Sequence, residues 1–226
     1  MLDKQVQKSF TVICEMLVDR GESLSPEETG PIAIRLPELA VMSSGVFHVD
    51  MPGDCGYRIV YSLNTAFKLQ DVRKLLAPLS SREGAVREVI VVTREVVTST
   101  SRRGLEDSVR KHVQFFCLNE LLFNISRHEL VPRHEPVRDE KEIERLVAHY
   151  RVKSRFHFPI IACTDPMARY LALRPGQLAR IVRFSPNVGA CVFYRCCAVA
   201  NTHTTAAVDA RFNEVVNSTA ATAVDA

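Results

Sequence analysis

The sequence predicts an α/β chain in three parts: a small α/β domain over residues 1–127, an α+β module with a small mixed sheet over 128–199, and a flexible tail over 200–226. Three observations lead there. The β-branched run V-R-E-V-I-V-V at 86–92 is short and apolar enough for a strand buried on both faces, and it follows a strand-like and a helix-like segment, the order of a crossover unit. Beyond 128, helix-start signatures alternate with strand patterns that end in a strand–turn–strand pair. The 226 residues are 46% hydrophobic and 24% charged, near the average for a globular protein, which excludes a collagen-like repeat, a disordered chain and a small disulfide scaffold.

Taken in order, residues 4–20 place Val6, Phe10, Ile13, Met16 and Leu17 on one helical stripe, and Gly21 stops the helix. Ser25-Pro26-Glu27-Glu28 can cap and start a second helix, expected to be short, because the stretch 30–56 is punctuated by Pro31, Pro37, Gly45, Pro52 and Gly53 and reads as turns and extended pieces. Residues 57–63 read as a strand, 67–76 as a helix with Phe67, Val72, Leu75 and Leu76 on one side, 104–111 as a short helix, 113–118 as a strand and 119–122 as a single turn. Pro132 and Pro136 mark an extended linker, and Asp139 caps a helix to about residue 151 with Ile143, Leu146, Val147 and Tyr150 on one face. Residues 159–162 form a strand, Asp165-Pro166 starts a short helix, and 178–184 and 190–199 are strands joined by the turn S-P-N-V-G. The tail is rich in Ala, Thr and Asn, with Val208, Phe212 and Val215 spaced for a short helix that would need a partner.

The motifs that suggest chemistry fail on geometry. In H-E-L-V-P-R-H the second histidine, His134, lies six residues from His128, and Pro132 interrupts any helix between them, so the zinc-protease arrangement of two histidines four apart cannot form. There is no G-x-S-x-G and no glycine-rich phosphate loop, and Cys163 stands beside Asp165, which is better used as a helix cap. The acids Asp139, Glu140, Glu142 and Glu144 alternate with Lys141 and Arg145, as on a solvated helix face. The expectation is no catalytic residue, no metal, no cofactor and no small-molecule substrate. None of the seven cysteines is in a C-x-x-C spacing, and Cys14, Cys117 and Cys191 sit among apolar residues, where a thiol packs as a small hydrophobe. With no signal-peptide pattern and no run of the ~20 apolar residues that a membrane span needs, the expectation is a reduced compartment, cytosol or nucleus, without disulfides and without membrane contact.

The formal net charge of +3 is too small for a free-standing nucleic-acid binder, but it is unevenly spread. Residues 1–127 hold 16 basic and 16 acidic residues, 128–199 hold 12 and 7, and the tail holds 1 and 3. Arg94, Arg102, Arg103, Arg110 and Lys111, with the hydroxyls Thr98, Ser99, Thr100 and Ser101, form the best candidate for meeting phosphate. A merely solvated Ser/Thr/Arg loop is the other reading of the same residues.

The second part carries five motifs in a fixed order over about 70 residues: His128-Glu129-Leu130-Val131-Pro132, a charged helix ending near Tyr150-Arg151, Asp165-Pro166 with Ala168-Arg169-Tyr170, Gly176-Gln177 leading to Arg180-Ile181-Val182-Arg183, and Ser185, Gly189 and Tyr194-Arg195. In these it closely resembles the fifth subunit shared by eukaryotic nuclear RNA polymerases, whose C-terminal module alone is similar to a small subunit of the archaeal polymerase. The first part resembles the eukaryotic subunit's N-terminal jaw domain more loosely, through Asp19-Arg20-Gly21, the strand at 88–93 and the segment 121–126. The resemblance covers about residues 4–20 and 60–197.

The resemblance implies a non-catalytic, nuclear subunit of a DNA-dependent RNA polymerase. Its C-terminal module would dock on the largest subunit, and its N-terminal domain would form part of the lower jaw near downstream duplex DNA. Carried onto this sequence, it makes His128, Arg169, Tyr170, Arg180, Arg183, Tyr194 and Arg195 the expected subunit interface, and Ser99, Arg102, Arg103 and Lys111 the expected DNA-proximal residues. This chain departs from the family pattern in having Val97-Thr98-Ser99-Thr100-Ser101 where a threonine-proline-serine step is usual, Ile160 after Pro159, Pro175 before the Gly176 turn, and Ala190 after Gly189. These departures imply a divergent paralogue fitted to one polymerase, with RNA polymerase I the candidate and a nucleolar location its corollary. Two other classes compete: a free transcription-associated adaptor with the same fold, and a degenerate nuclease-like enzyme. Against the latter, the strand around Glu88 lacks the paired acid and lysine that a metal-dependent phosphodiesterase needs.

Overall fold

A computed structural model describes residues 2–43, 45–52, 55–64, 67–76, 86–109, 112–185 and 187–199. The expected tail therefore lies outside the described residues, as do Arg110 and Lys111. The chain divides into two compact units, Met1–Asn124 and a second from Ile125 onward. Both mix helices with small sheets, as the α/β class requires. Among the described residues no helix is long and apolar enough to cross a membrane.

In the first unit, strands β1 (Val46–Asp50), β2 (Tyr57–Ser62), β3 (Glu88–Thr93) and β4 (His112–Cys117) lie in that order in one sheet. β1 runs antiparallel to β2, while β2–β3 and β3–β4 are parallel and are connected through helices α3 (Leu69–Leu76) and α4 (Ser99–Val109). The period of two sorts the side chains. Val60, Val89, Val91, Val113 and Phe115 face Val72, Leu76 and Leu105 of the crossover helices, while Tyr57 and Tyr61 face α1 (Leu2–Asp19). The buried stripe of α1 is Val6, Phe10, Ile13, Met16 and Leu17, and Ser9 on the same side meets the Tyr61 hydroxyl at 3.2 Å. At its C-terminus Gly21 takes φ +95°, and the amides of Gly21 and Glu22 reach back to the carbonyls of Val18 and Leu17, closing the helix in a Schellman turn.

Two expectations for this unit need correcting. The second helix, α2 (Pro26–Met42), is 17 residues long and runs straight through Pro31 and Pro37. Its start is as read, with Ser25 Oγ accepting from the Glu28 amide and Glu28 reaching back in a capping box. It survives Pro37 because Ala33, the carbonyl that the missing amide would have met, lies 3.4 Å from Nε2 of Gln7 on α1. One of the extended pieces expected within 30–56 is β1, paired residue by residue with β2. The Ser/Thr/Arg segment is no loop: α4 starts at Ser99, five residues before the expected position, and Thr98 Oγ1 accepts from the Ser101 amide at 3.4 Å.

In the second unit the sheet order is β5 (Arg133–Val137), β7 (Leu178–Ser185), β8 (Gly189–Ala198) and β6 (Ile160–Ala162), with only β6–β8 parallel. The segment expected as a linker is thus strand β5. It sits at the sheet's edge, where Pro136 costs no interior ladder bond. Helix α5 (Glu140–His149) is capped by Asp139 through the Lys141 amide at 3.0 Å and packs Ile143, Leu146 and Val147 over Val137, Leu178 and Cys196. Helix α6 (Pro166–Tyr170) is capped by Asp165, whose Oδ1 accepts from Met167 at 2.8 Å and from Ala168 at 3.4 Å. Both helices end in Schellman turns like that of α1, but the left-handed position is filled by Arg151 and Ala172, each at φ 53°. All seven cysteines are free thiols.

Candidate functional site

Seven residues of the second unit were expected to share a surface, and the strand register separates them. Glu135, Arg180 and Tyr194 stand directly opposite one another across β5, β7 and β8 and so share one face of the sheet. Glu135 is engaged by Arg180 Nη1 at 3.2 Å and by Arg133 Nε at 2.8 Å, and the Tyr194 ring lies among Tyr150 (5.8 Å between centroids) and Phe158 (6.3 Å) beside α5. These side chains hold the module together.

Arg183 and Arg195 are on the opposite face, both exposed. Between them, two residues along β8 from Arg195, stands Phe193, which is 51% exposed although its partner across the ladder, Ile181, is buried. Beyond Phe193 the hairpin is bare. Phe184, the turn residue Val188, and Val192 are exposed, so large apolar side chains project from both faces of the last turns of β7 and β8. An apolar cluster of this kind, flanked by two arginines, has the composition of an interface core beside its polar rim. Arg180 and Arg183 were expected together from the family resemblance; spacing by three puts them on opposite faces. Sequence reasoning missed the apolar hairpin end, although a signal existed: Val192-Phe193-Tyr194 puts consecutive large residues in a strand, leaving neither face polar.

Tyr170 faces inward. It is 4% exposed, and its hydroxyl accepts from Ser126 Oγ at 3.4 Å, tying α6 to the 3-10 turn Ile125–Arg127. Arg169 on α6 is half-buried. His128 is exposed in the turn that follows, where its Nδ1 accepts from the Leu130 amide at 3.2 Å.

In the first unit, Ser99 and Arg103 are exposed on the first turns of α4. Arg102 is half-buried with its guanidinium 5.4 Å from the centroid of Phe115, a cation–π contact that uses the arginine to cover the sheet. Arg73 Nη2 donates to the Gly104 carbonyl at 2.6 Å, locking α3 to α4. Among the described residues of this unit the buried charge is Arg20. It is 3% exposed, donates to Gln114 Oε1 at 2.7 Å and lies over the Tyr57 ring, while Gln114 Nε2 donates in turn to Glu88 at 3.1 Å. Glu88, the acid weighed for nuclease chemistry, is thus part of a hydrogen-bonded chain linking α1, β3 and β4. Burial, followed by the charge of Glu88, raises the Tyr57 phenol above its ordinary range.

The RNA polymerase Rpb5 C-terminal domain family matches residues 123–197, the span holding the bare hairpin. The Caenorhabditis elegans protein "DNA-directed RNA polymerases I, II, and III subunit RPABC1" is 30% identical over 151 residues, which cover 66% of this chain and 69% of that protein. The chain belongs to the RPABC1 (Rpb5) family of RNA polymerase subunits. The Caenorhabditis briggsae RPABC1 is 28% identical over 81% of this chain and 90% of its own length. A paralogue in Arabidopsis thaliana, "DNA-directed RNA polymerases IV and V subunit 5B", is 27% identical over 80% of this chain and 84% of its own length. Identities at this level, shared with a paralogue whose name confines it to particular polymerases, fit a divergent fifth subunit.

Proposed function

We propose that this chain is a non-catalytic subunit of a nuclear DNA-dependent RNA polymerase, and that its second unit docks on the largest subunit through the end of the β7–β8 hairpin. The observation that carries this reading is the exposed set Phe184, Val188, Val192 and Phe193 with Arg183 and Arg195 beside it, inside the span that matches the Rpb5 C-terminal domain. Aromatic and arginine anchors are the residues on which interface energy concentrates. Arg169 and His128 extend the proposed contact, while Tyr170, Arg180 and Tyr194 act by holding α6 and the sheet in shape.

The first unit would then form part of the lower jaw beside downstream duplex DNA, meeting the phosphate backbone through Ser99 and Arg103, with Lys111 as a further contact. Such contacts position DNA without reading sequence, and they need little net charge when the rest of the enzyme holds the duplex. The departures from the family pattern support service to one polymerase, RNA polymerase I, and hence a nucleolar location. Affinity purification of the tagged chain followed by identification of the co-purifying largest subunits tests this. Recovery of the RNA polymerase I largest subunit alone is expected. Recovery with all three nuclear polymerases would remove the specialisation, and a chain that elutes alone would make it a free adaptor.

A further inference from the structure

The second unit also contains a pair of thiols outside the proposed contact. Cys163 follows β6, and its amide donates to the Ala198 carbonyl at 2.9 Å, continuing the parallel ladder that sets Ile161 opposite Cys197. This brings the Cys163 and Cys197 sulfurs to 3.1 Å, 34 residues apart in sequence. A disulfide needs about 2.05 Å, so roughly 1 Å of sulfur movement separates the two states. The other cysteines nearby are turned away. Cys196 faces the opposite side of β8, in the core with Val137, Ile143 and Leu178, and Cys191 lies six residues back along the strand, roughly 20 Å distant.

We infer that Cys163 and Cys197 form a reversible disulfide on exposure to hydrogen peroxide, making this edge of the module an oxidation site. Cys163 is half-buried and reachable, whereas Cys197 is fully buried, with its sulfur also 3.6 Å from the Leu173 carbonyl. Access assigns their roles, since a peroxide can reach Cys163 but not Cys197. When Cys163 ionises, the Cys197 S–H can donate to its thiolate, which lowers the Cys163 pKa, while the same contact, followed by burial, raises that of Cys197. In the first step the Cys163 thiolate attacks a peroxide oxygen: an S–O bond forms, the O–O bond breaks, and hydroxide leaves, giving a sulfenic acid. In the second, the Cys197 sulfur attacks the Cys163 sulfur: the S–S bond forms, the S–O bond breaks, and the departing hydroxide takes the Cys197 proton as water. Two thiols are oxidised by two electrons and one peroxide is reduced to water. The product ties the three-residue edge strand β6, and the Asp165 turn that starts α6, covalently to β8.

Native chain is treated with hydrogen peroxide, alkylated under denaturing conditions and mapped by mass spectrometry. The expected product is a linked peptide pair containing Cys163 and Cys197, about 2 Da lighter than the two thiol peptides together and reversed by dithiothreitol. It should be lost in Cys163→Ser and retained in Cys191→Ser. Wild-type mapping decides the matter even where a variant folds poorly. Sulfinic acid at Cys163 with Cys197 alkylated, or linkage of Cys163 to Cys196, would overturn the assignment.

Discussion

The two sheets of this protein solve the same packing problem to different degrees. In the first unit the parallel strand β3 is covered on both sides, by α1 on one and by α3 and α4 on the other, and its residues Val89–Val92 are fully buried. In the second unit the β7–β8 hairpin begins in a core with α5, and its far end leaves Phe184, Val192 and Phe193 exposed. A sheet whose faces are closed by its own helices gains its stability from within the chain. A hairpin that exposes aromatic side chains on both faces costs solubility unless a partner covers it. The contrast separates residues that fold the protein from those proposed to assemble it.

Substitutions can break that contrast, and the largest effect belongs in the closed unit. Ile90→Ala should cost about 3–4 kcal/mol, since it opens a cavity between α1 and β3. Arg20→Ala should cost about 3 kcal/mol by leaving Gln114 and Glu88 without the buried cation. Hydrogen exchange at the amides of the first unit reads both losses locally, whether or not the two units unfold together. At the open hairpin the order inverts. Phe193→Ala and Phe184→Ala should change folding stability by less than about 0.5 kcal/mol, as exposed residues do, yet weaken binding to the largest subunit by about 2 kcal/mol, roughly thirty-fold. Isothermal unfolding together with co-purification yield separates the two quantities.

Smaller effects sharpen the comparison. Ala172→Gly should stabilise the second unit by about 1 kcal/mol, because the left-handed conformation at φ 53° costs alanine and not glycine; urea unfolding measures it. On α4, Arg103→Ala should leave stability within about 0.5 kcal/mol and reduce only crosslinking to downstream DNA. Arg102→Ala should destabilise by about 0.5–1 kcal/mol through lost contact with Phe115. Equal crosslinking losses with unchanged stability in both variants would count against a packing role for Arg102.

Most of this architecture was legible where local signals agree with the tertiary outcome. The α1 stripe, the β-branched strand β3, and the Asp139 and Asp165 caps all carry their meaning within a few residues. The failures have a common origin in distant partners. Nothing near Pro37 reveals that Gln7, thirty positions earlier, will lie beside the Ala33 carbonyl and let the helix continue. The strand identity of β5 depends on β7, 45 residues onward, which pairs Glu135 with Arg180. At the site, the resemblance grouped Arg180 with Arg183 and Tyr170 with Arg169, whereas the strand period puts the two arginines of β7 on opposite faces and Tyr170, bonded to Ser126, is buried beside a half-buried Arg169. Exposed apolar residues are hardest to read, since a Phe in a strand pattern looks like core until the sheet shows that nothing covers it.

The central claim is that the bare hairpin end attaches this chain to a polymerase largest subunit. Its most direct test is affinity purification of the tagged wild-type chain beside the double variant Phe184→Ala/Phe193→Ala, with the bound largest subunit measured by quantitative mass spectrometry. Abundant recovery is expected with the wild type, and near-complete loss with a variant that remains folded. Equal recovery with both would contradict the claim.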